Sequence, residues 1–129
     1  MPIKISSDEF VKAMEKIMTK YEGDVTDVTR RLVKRAGQEG AEKLRRTSPK
    51  DTGRYARDWS GGRYVKTWSG AEITVYNEAP TYRLAHLLEH GHALRNGGRT
   101  KAIPHIKPVE EEVKQELEKN LRQAIEHGS

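Results

Sequence analysis

Residues 64–77 read YVKTWSGAEITVYN, two β-rich runs folded about Ser69-Gly70. Ile73, Val75 and the aromatic Tyr76 suit a strand, and a short glycine-containing turn between two such runs predicts an antiparallel hairpin. Trp59 and the Gly61-Gly62 pair lead into it and Ala79-Pro80 closes it, so the hairpin is placed at 59–78. Upstream, the rhythm changes from two to about 3.6. Ser6-Ser7-Asp8 offers N-cap residues before Phe10, Met14, Ile17, Met18 and Tyr21. After Gly23, the positions Val25, Val28, Leu32, Ala36, Gly40 and Leu44 form one face of a long helix, with Gly40 permitting close approach of another element. Ser48-Pro49 ends it, because the residue before proline avoids helical geometry. The helical part thus covers 6–47, and 50–58 is a polar connector.

Downstream, 81–90 reads as a short helix with Leu84, Leu87 and Leu88 as its apolar set, stopped by Gly91. Residues 91–103 form a flexible glycine-rich basic loop, and 104–107 add a short strand. Pro108 suits the first turn of a final helix at 108–126, whose stripe is Val109, Val113, Leu117, Leu121 and Ile125. Helices and strands occupy separate blocks. The expected fold is therefore α+β, one domain over 1–129, with N-terminal helices and a C-terminal helix packed on a small antiparallel β-sheet.

The chain has 129 residues, 34% of them hydrophobic, with a mean hydropathy of −0.88. So polar a sequence implies long solvated helices, or a subunit whose core neighbours complete. The absence of cysteine excludes disulfides, thiolate metal sites and a cysteine nucleophile. No apolar run reaches the length that spans a bilayer, and the N-terminus has no apolar signal segment, so a soluble protein made in the cytoplasm is expected. The net charge of +5 is uneven: residues 30–68 carry twelve basic side chains against four acidic ones, while both flanks are slightly acidic. Such a block suits nucleic acid or an acidic protein, or is simply a solvated face.

Three chemical readings meet the sequence. His86-Leu87-Leu88-Glu89-His90 matches H-x-x-E-H, in which His86 and His90, four apart, would hold zinc while Glu89 acts as base, with His92 or His105 as a third ligand. Gly91 follows at once and loosens that geometry, so no metal or other cofactor is assigned and His86 and His90 remain weak candidates. The loop residues His92, Arg95, Asn96, Gly97, Gly98, Arg99 and Lys101 lack the lysine and hydroxyl spacing of a phosphate loop and read as a flexible loop kept solvated by its charges; the resemblance described below would make it an interaction loop. Trp59, Tyr64, Trp68 and Tyr76 lie among Arg54, Arg57, Arg63 and Lys66, a mixture that can stack nucleic-acid bases but more commonly builds core or subunit contacts. No hydrolase nucleophile elbow is present, so no catalytic residue is assigned.

Taken in order, SPKDTGRYARDW, the hairpin, NEAPTYRLAHLLEHGH, the basic loop and IPHIKPVEEEV resemble the phage neck proteins typified by the tenth gene product of a lambdoid long-tailed phage. The matching positions are Pro49, Asp51, Thr52 and Gly53, then Asn77, then Tyr82, Leu84, Leu87, Leu88, Glu89 and Gly91, and finally Pro104, His105, Ile106 and Pro108. Tyr55 and Val109 depart from the pattern. The resemblance covers about residues 8–126. It implies a non-enzymatic head–tail joining or tail-completion protein of phages and prophages, located at the virion neck. Such subunits assemble as rings, commonly hexamers, in some cases only on a template. Their partners are the connector or head-completion protein and the tail-tube or tail-terminator proteins, with DNA passing through. In that frame Leu84, Leu87 and Leu88 dock the short helix on the sheet, Glu89 caps or pairs locally, and a neighbour orders the 92–103 loop. The alternative is a small basic nucleic-acid-binding domain; a zinc hydrolase is the third reading.

Overall fold

A computed structural model describes residues 2–13, 24–50, 52–68 and 70–126. The expected apolar positions Met14, Ile17, Met18 and Tyr21, the break at Gly23, the Val25 side chain, the turn residue Ser69 and the motif residue Asp51 lie outside the described residues. The described elements are β1 (Ile3–Ser6), α1 (Asp8–Ala13), α2 (Asp24–Thr47), α3 (Arg54–Arg57), β2 (Trp59–Lys66), β3 (Ala71–Asn77), α4 (Tyr82–His90) and α5 (Ile106–Glu126). The fold is α+β, with helices packed on a small antiparallel sheet, as expected.

The hairpin forms where predicted, but it is part of a three-stranded sheet of order β1-β3-β2. β3 is central because it alternates most regularly: Ala71, Ile73, Val75 and Asn77 point inward and are buried. The strand at Ile3–Ser6 corrects the expectation of helix from residue 6. Ile-Lys-Ile-Ser alternates with period two, and Ile3 and Ile5 pair with Val75 and Ile73 in one buried layer. Ser6 still serves the helix, its Oγ accepting the Asp8 N–H at 3.1 Å.

α2 crosses the inner face of the sheet and meets α5 along its other flank. Val33 and Leu44 are fully buried, Thr29 nearly so, while Leu32 is half-buried. The helix therefore presents two adjacent rows: Ala36, Gly40 and Leu44 of the expected stripe are buried, and Thr29, Val33, Gly37 and Ala41 add a second buried row one residue along. The close approach also falls elsewhere than expected. At Gly37 an added Cβ would lie 2.8 Å from Cγ1 and Cγ2 of Ile73, whereas at Gly40 it would meet Val113 and Val75 at an ordinary 3.6 Å. Gly61 presses on the same point, since a Cβ there would sit 2.7 Å from the Gly37 carbonyl carbon. Gly61 and Gly62 occupy a bulge in β2, where the register slips between Ser60 and Arg63.

α5 completes the core with all five stripe residues, Val109, Val113, Leu117, Leu121 and Ile125, buried as predicted. Lys43 of α2 reaches across to Glu112 at 2.6 Å and Glu116 at 3.4 Å. Two local expectations are corrected. Residues 104–107 form no strand; α5 starts at Ile106, two residues before its expected start. The 50–58 connector contains α3, whose Tyr55 and Ala56 are buried because the left-handed Gly53 (φ 85°) turns the chain back onto the core. Trp59 follows, its Nε1–H donating to Ser48 Oγ at 2.9 Å.

Candidate interaction surface

α4 is positioned from both ends. At its start, Thr81 Oγ1 lies 2.6 Å from Asn77 Oδ1 and 2.6 Å from Asp58 Oδ2, and Asn77 Nδ2 donates to the Tyr55 carbonyl at 2.8 Å. At its end, Gly91 (φ 72°) takes a left-handed turn, and a Cβ there would lie 2.6 Å from the Thr100 carbonyl. Between these ends the helix buries Ala85 and Glu89, one turn apart.

A buried carboxylate needs partners, and Glu89 finds them at the first turn of α5. Its Oε1 accepts the N–H groups of His105 (2.7 Å) and Ile106 (2.8 Å), and Oε2 accepts that of Lys107 (3.0 Å). The next residue, Pro108, has no N–H. The helix start thus leaves no orphan donor, although the capping residue comes from a different helix. Burial alone would raise the Glu89 pKa; the three backbone donors and the His105 ring outweigh it and hold it below the ordinary value. The His105 Nδ1 faces two acceptors, the Ile103 carbonyl at 2.7 Å and Glu89 Oε1 at 3.1 Å, while its Nε2 lies 2.7 Å from the Tyr55 hydroxyl. Facing two acceptors, Nδ1 carries a proton, while Nε2 pairs with the Tyr55 hydroxyl. Burial, then the charge of Glu89, raises the Tyr55 pKa, so the phenol stays a donor.

With Ala85 and Glu89 turned inward, the other side of α4 is open. Leu84 and Leu87 do not dock on the sheet as expected; they are 41% and 38% exposed, and of the three leucines only Leu88 packs against the core. The reason is register: the Glu89 cap fixes which edge of the helix faces inward. Tyr82 (47%), Leu94 (43%) and Ile103 (44%) are exposed along the same run of chain. Ile103 N–H donates to the Leu88 carbonyl at 2.8 Å, which seats the returning loop beside the end of α4. The loop itself closes as a small hairpin, with Thr100 N donating to His92 O (2.9 Å), Leu94 N to Gly98 O (3.0 Å), and Gly97 and Gly98 both at positive φ. Arg95, Asn96, Arg99 and Lys101 lie exposed on it, Arg99 Nη2 donating to Gly91 O at 3.3 Å, and His92 is half-buried. α4 and the following loop thus carry both exposed apolar side chains and exposed cations.

The family model described as "Bacteriophage HK97-gp10, putative tail-component" matches residues 8–91. The chain belongs to the HK97-gp10-like family. No curated protein and no solved structure matches it. As a member of a family of phage tail components it takes its place among the structural proteins of the virion. The HK97-gp10-like match runs from α1 to Gly91, so it contains Glu89, the side chain that anchors α5 beyond the matched span.

The remaining motif positions of this HK97-gp10-like chain are supports. Thr52 Oγ1 accepts the Arg54 N–H at 3.3 Å, Gly53 makes the left-handed turn, Asn77 ties β3 to α3, and Pro104 is exposed just before the capped turn. His86 and His90 stack on the outside of α4, ring centroids 4.9 Å apart, but Glu89 does not join them, because its carboxylate is engaged by α5. Among the described residues no three metal-binding side chains converge. The four aromatics are also separated. Trp59 is in the core, Tyr76 stacks with Arg63 (4.5 Å), Tyr64 lies under Lys34 (5.9 Å), and Trp68 stands alone, 86% exposed near the β2–β3 turn. Among the described residues no helix is long and apolar enough to cross a membrane. Sequence reasoning missed the Tyr55–His105–Glu89 chain. Its only signal was the co-occurrence of Glu89 with the Pro104-His105-Ile106-Lys107-Pro108 segment, and contact between the two depends on the tertiary fold.

Proposed function

We propose that this chain is a non-enzymatic head–tail joining subunit that completes the tail at the virion neck. It assembles with copies of itself as a ring, of hexameric type, on the connector or head-completion protein and against the tail-tube or terminator proteins. The observation that carries this reading is the exposure of Leu84 and Leu87 on the outer side of α4, with Tyr82, Leu94 and Ile103 also exposed on that helix and the following loop, in a chain with few hydrophobic residues. Large apolar side chains left exposed mark protein-binding surfaces. Arg83, Arg95, Arg99 and Lys101, exposed on the same two segments, supply charge that orients an encounter. Tying α4 to α5 through Glu89 keeps the helical part of this surface in one shape, so ordering on assembly is confined to the loop.

The test uses a phage deleted for this gene and complemented in trans. Leu84→Asp/Leu87→Asp should fold normally, since both side chains are exposed, yet leave filled heads separate from tails in electron micrographs. Full rescue of tailed, infectious particles by that variant, at equal protein level, would remove the basis of the proposal.

A further inference from the structure

We propose that the end of the molecule formed by the last turn of α2, the following connector and α3 is a DNA-backbone contact surface, with Arg46, Lys50, Arg54 and Arg57 as its phosphate-binding groups and Arg45 beside them. All five side chains are exposed, and among the described residues none is within ion-pair distance of a carboxylate. Segment 45–57 holds five cations against the single anion Asp51, which lies outside the described residues. The fold presents them deliberately. Burial of Tyr55 and Ala56 turns Arg54 and Arg57, three residues apart, to the outer side of α3. Lys50 Nζ donates to the Arg46 carbonyl at 2.7 Å, and Arg45 Nε donates to the Trp59 carbonyl at 3.0 Å, which holds the cluster together.

The helix dipole accounts for Arg45, Arg46 and the capping Lys50. It does not account for Arg54 and Arg57, which lie beyond the end of α2. An acidic protein is the other class of partner for such a face. Protein interfaces, however, centre on apolar and aromatic groups with charge at the edge, and among the described residues the exposed large hydrophobics, Val65, Trp68, Tyr82, Leu84, Leu87, Leu94 and Ile103, lie outside α2 and α3. Guanidinium groups that find no carboxylate among the described residues, and have no apolar centre there, fit a phosphate backbone, which they bind in bidentate fashion and without regard to sequence. That the polyanion is DNA rests on the joining reading, in which the genome passes the subunit.

The experiment is fluorescence anisotropy of a labelled 30-base-pair duplex of arbitrary sequence with the full chain, repeated from roughly 50 to 200 mM salt. Four phosphate contacts predict a log–log slope of about −3.6 and a loss of about a hundredfold in affinity over that range. Arg46→Ala/Arg54→Ala/Arg57→Ala should flatten the slope by about 3 and weaken binding more than tenfold at low salt. The corresponding lysine variant should keep most of the slope, and Arg95→Ala/Arg99→Ala/Lys101→Ala should bind like the parent. Circular dichroism and melting check that each variant folds. Absence of binding at the lowest salt, equal loss from the loop variant, or displacement of the duplex by poly-glutamate at equal charge would overturn the inference. Those outcomes leave the joining reading standing, because it is tested on Leu84 and Leu87, at a different surface.

Discussion

At the residue scale, Glu89 is the position on which most depends. It is 5% exposed, it accepts three backbone N–H groups, and it lies beside His105. Removing a buried acceptor leaves its donors unsatisfied, at about 1–3 kcal/mol. Glu89→Ala should therefore lower stability by roughly 3 kcal/mol, read as a drop in denaturation midpoint. Glu89→Gln should cost less in size but change the pH profile. The folded-state pKa of Glu89 is depressed, so its contribution to stability is present above the unfolded value of 4.5 and is lost as pH falls through the lower folded value. The parent should lose an acid-sensitive share of stability on descending below pH 4.5 that the glutamine variant lacks. Parallel melting profiles of the two proteins from pH 6 down to 3 would contradict the capping role. The same residue shows why H-x-x-E-H misleads here: the spacing is right, but the carboxylate is held by a helix sixteen residues away in sequence.

At the scale of elements, α2 illustrates how packing decides between two similar glycines. Both interrupt a helix, and propensity alone would favour alanine at either by about 1 kcal/mol. Gly40→Ala should realise part of that gain, since its Cβ would meet Val75 and Val113 at contact distance. Gly37→Ala should destabilise by about 1–3 kcal/mol, because its Cβ would overlap the buried, β-branched Ile73. Equal melting temperatures for the two variants would mean that the helix–sheet approach is not as close as described. The periodic elements were readable: the hairpin, α4 and the α5 stripe all follow from local pattern. β1 was not, because four residues of alternation are too few to outweigh the capping signal that follows them. The inward edge of α4 was misread for another reason. Three leucines outvote one alanine and one glutamate in any hydrophobic count, but the cap on α5 binds the glutamate.

At the scale of the whole molecule, the exposed surface divides into two kinds. α4 and the 91–103 loop carry exposed apolar side chains alongside exposed cations, suited to protein. The α2–α3 end carries five exposed cations, suited to phosphate. In the joining reading the subunit meets both protein and genome, and separate surfaces let it do so without competition. In the joining reading the loop hairpin gains its final order from a neighbour. Hydrogen exchange should accordingly show amides of 92–101 exchanging fast in the isolated chain and slowly in the assembled ring. Strong protection already present in the isolated chain would contradict partner-induced ordering.

By itself the sequence determined the class of fold, the hairpin, the long amphipathic helices and the family resemblance, because each rests on short-range periodicity, turn chemistry or ordered local motifs. The tertiary structure alone decided that β3 is central, that Gly37 and not Gly40 is the tight contact, that Glu89 caps α5, and that Leu84 and Leu87 face outward. All four depend on contacts between residues far apart in the chain, where the partner that binds a side chain, and not its own hydrophobicity, selects the face it shows.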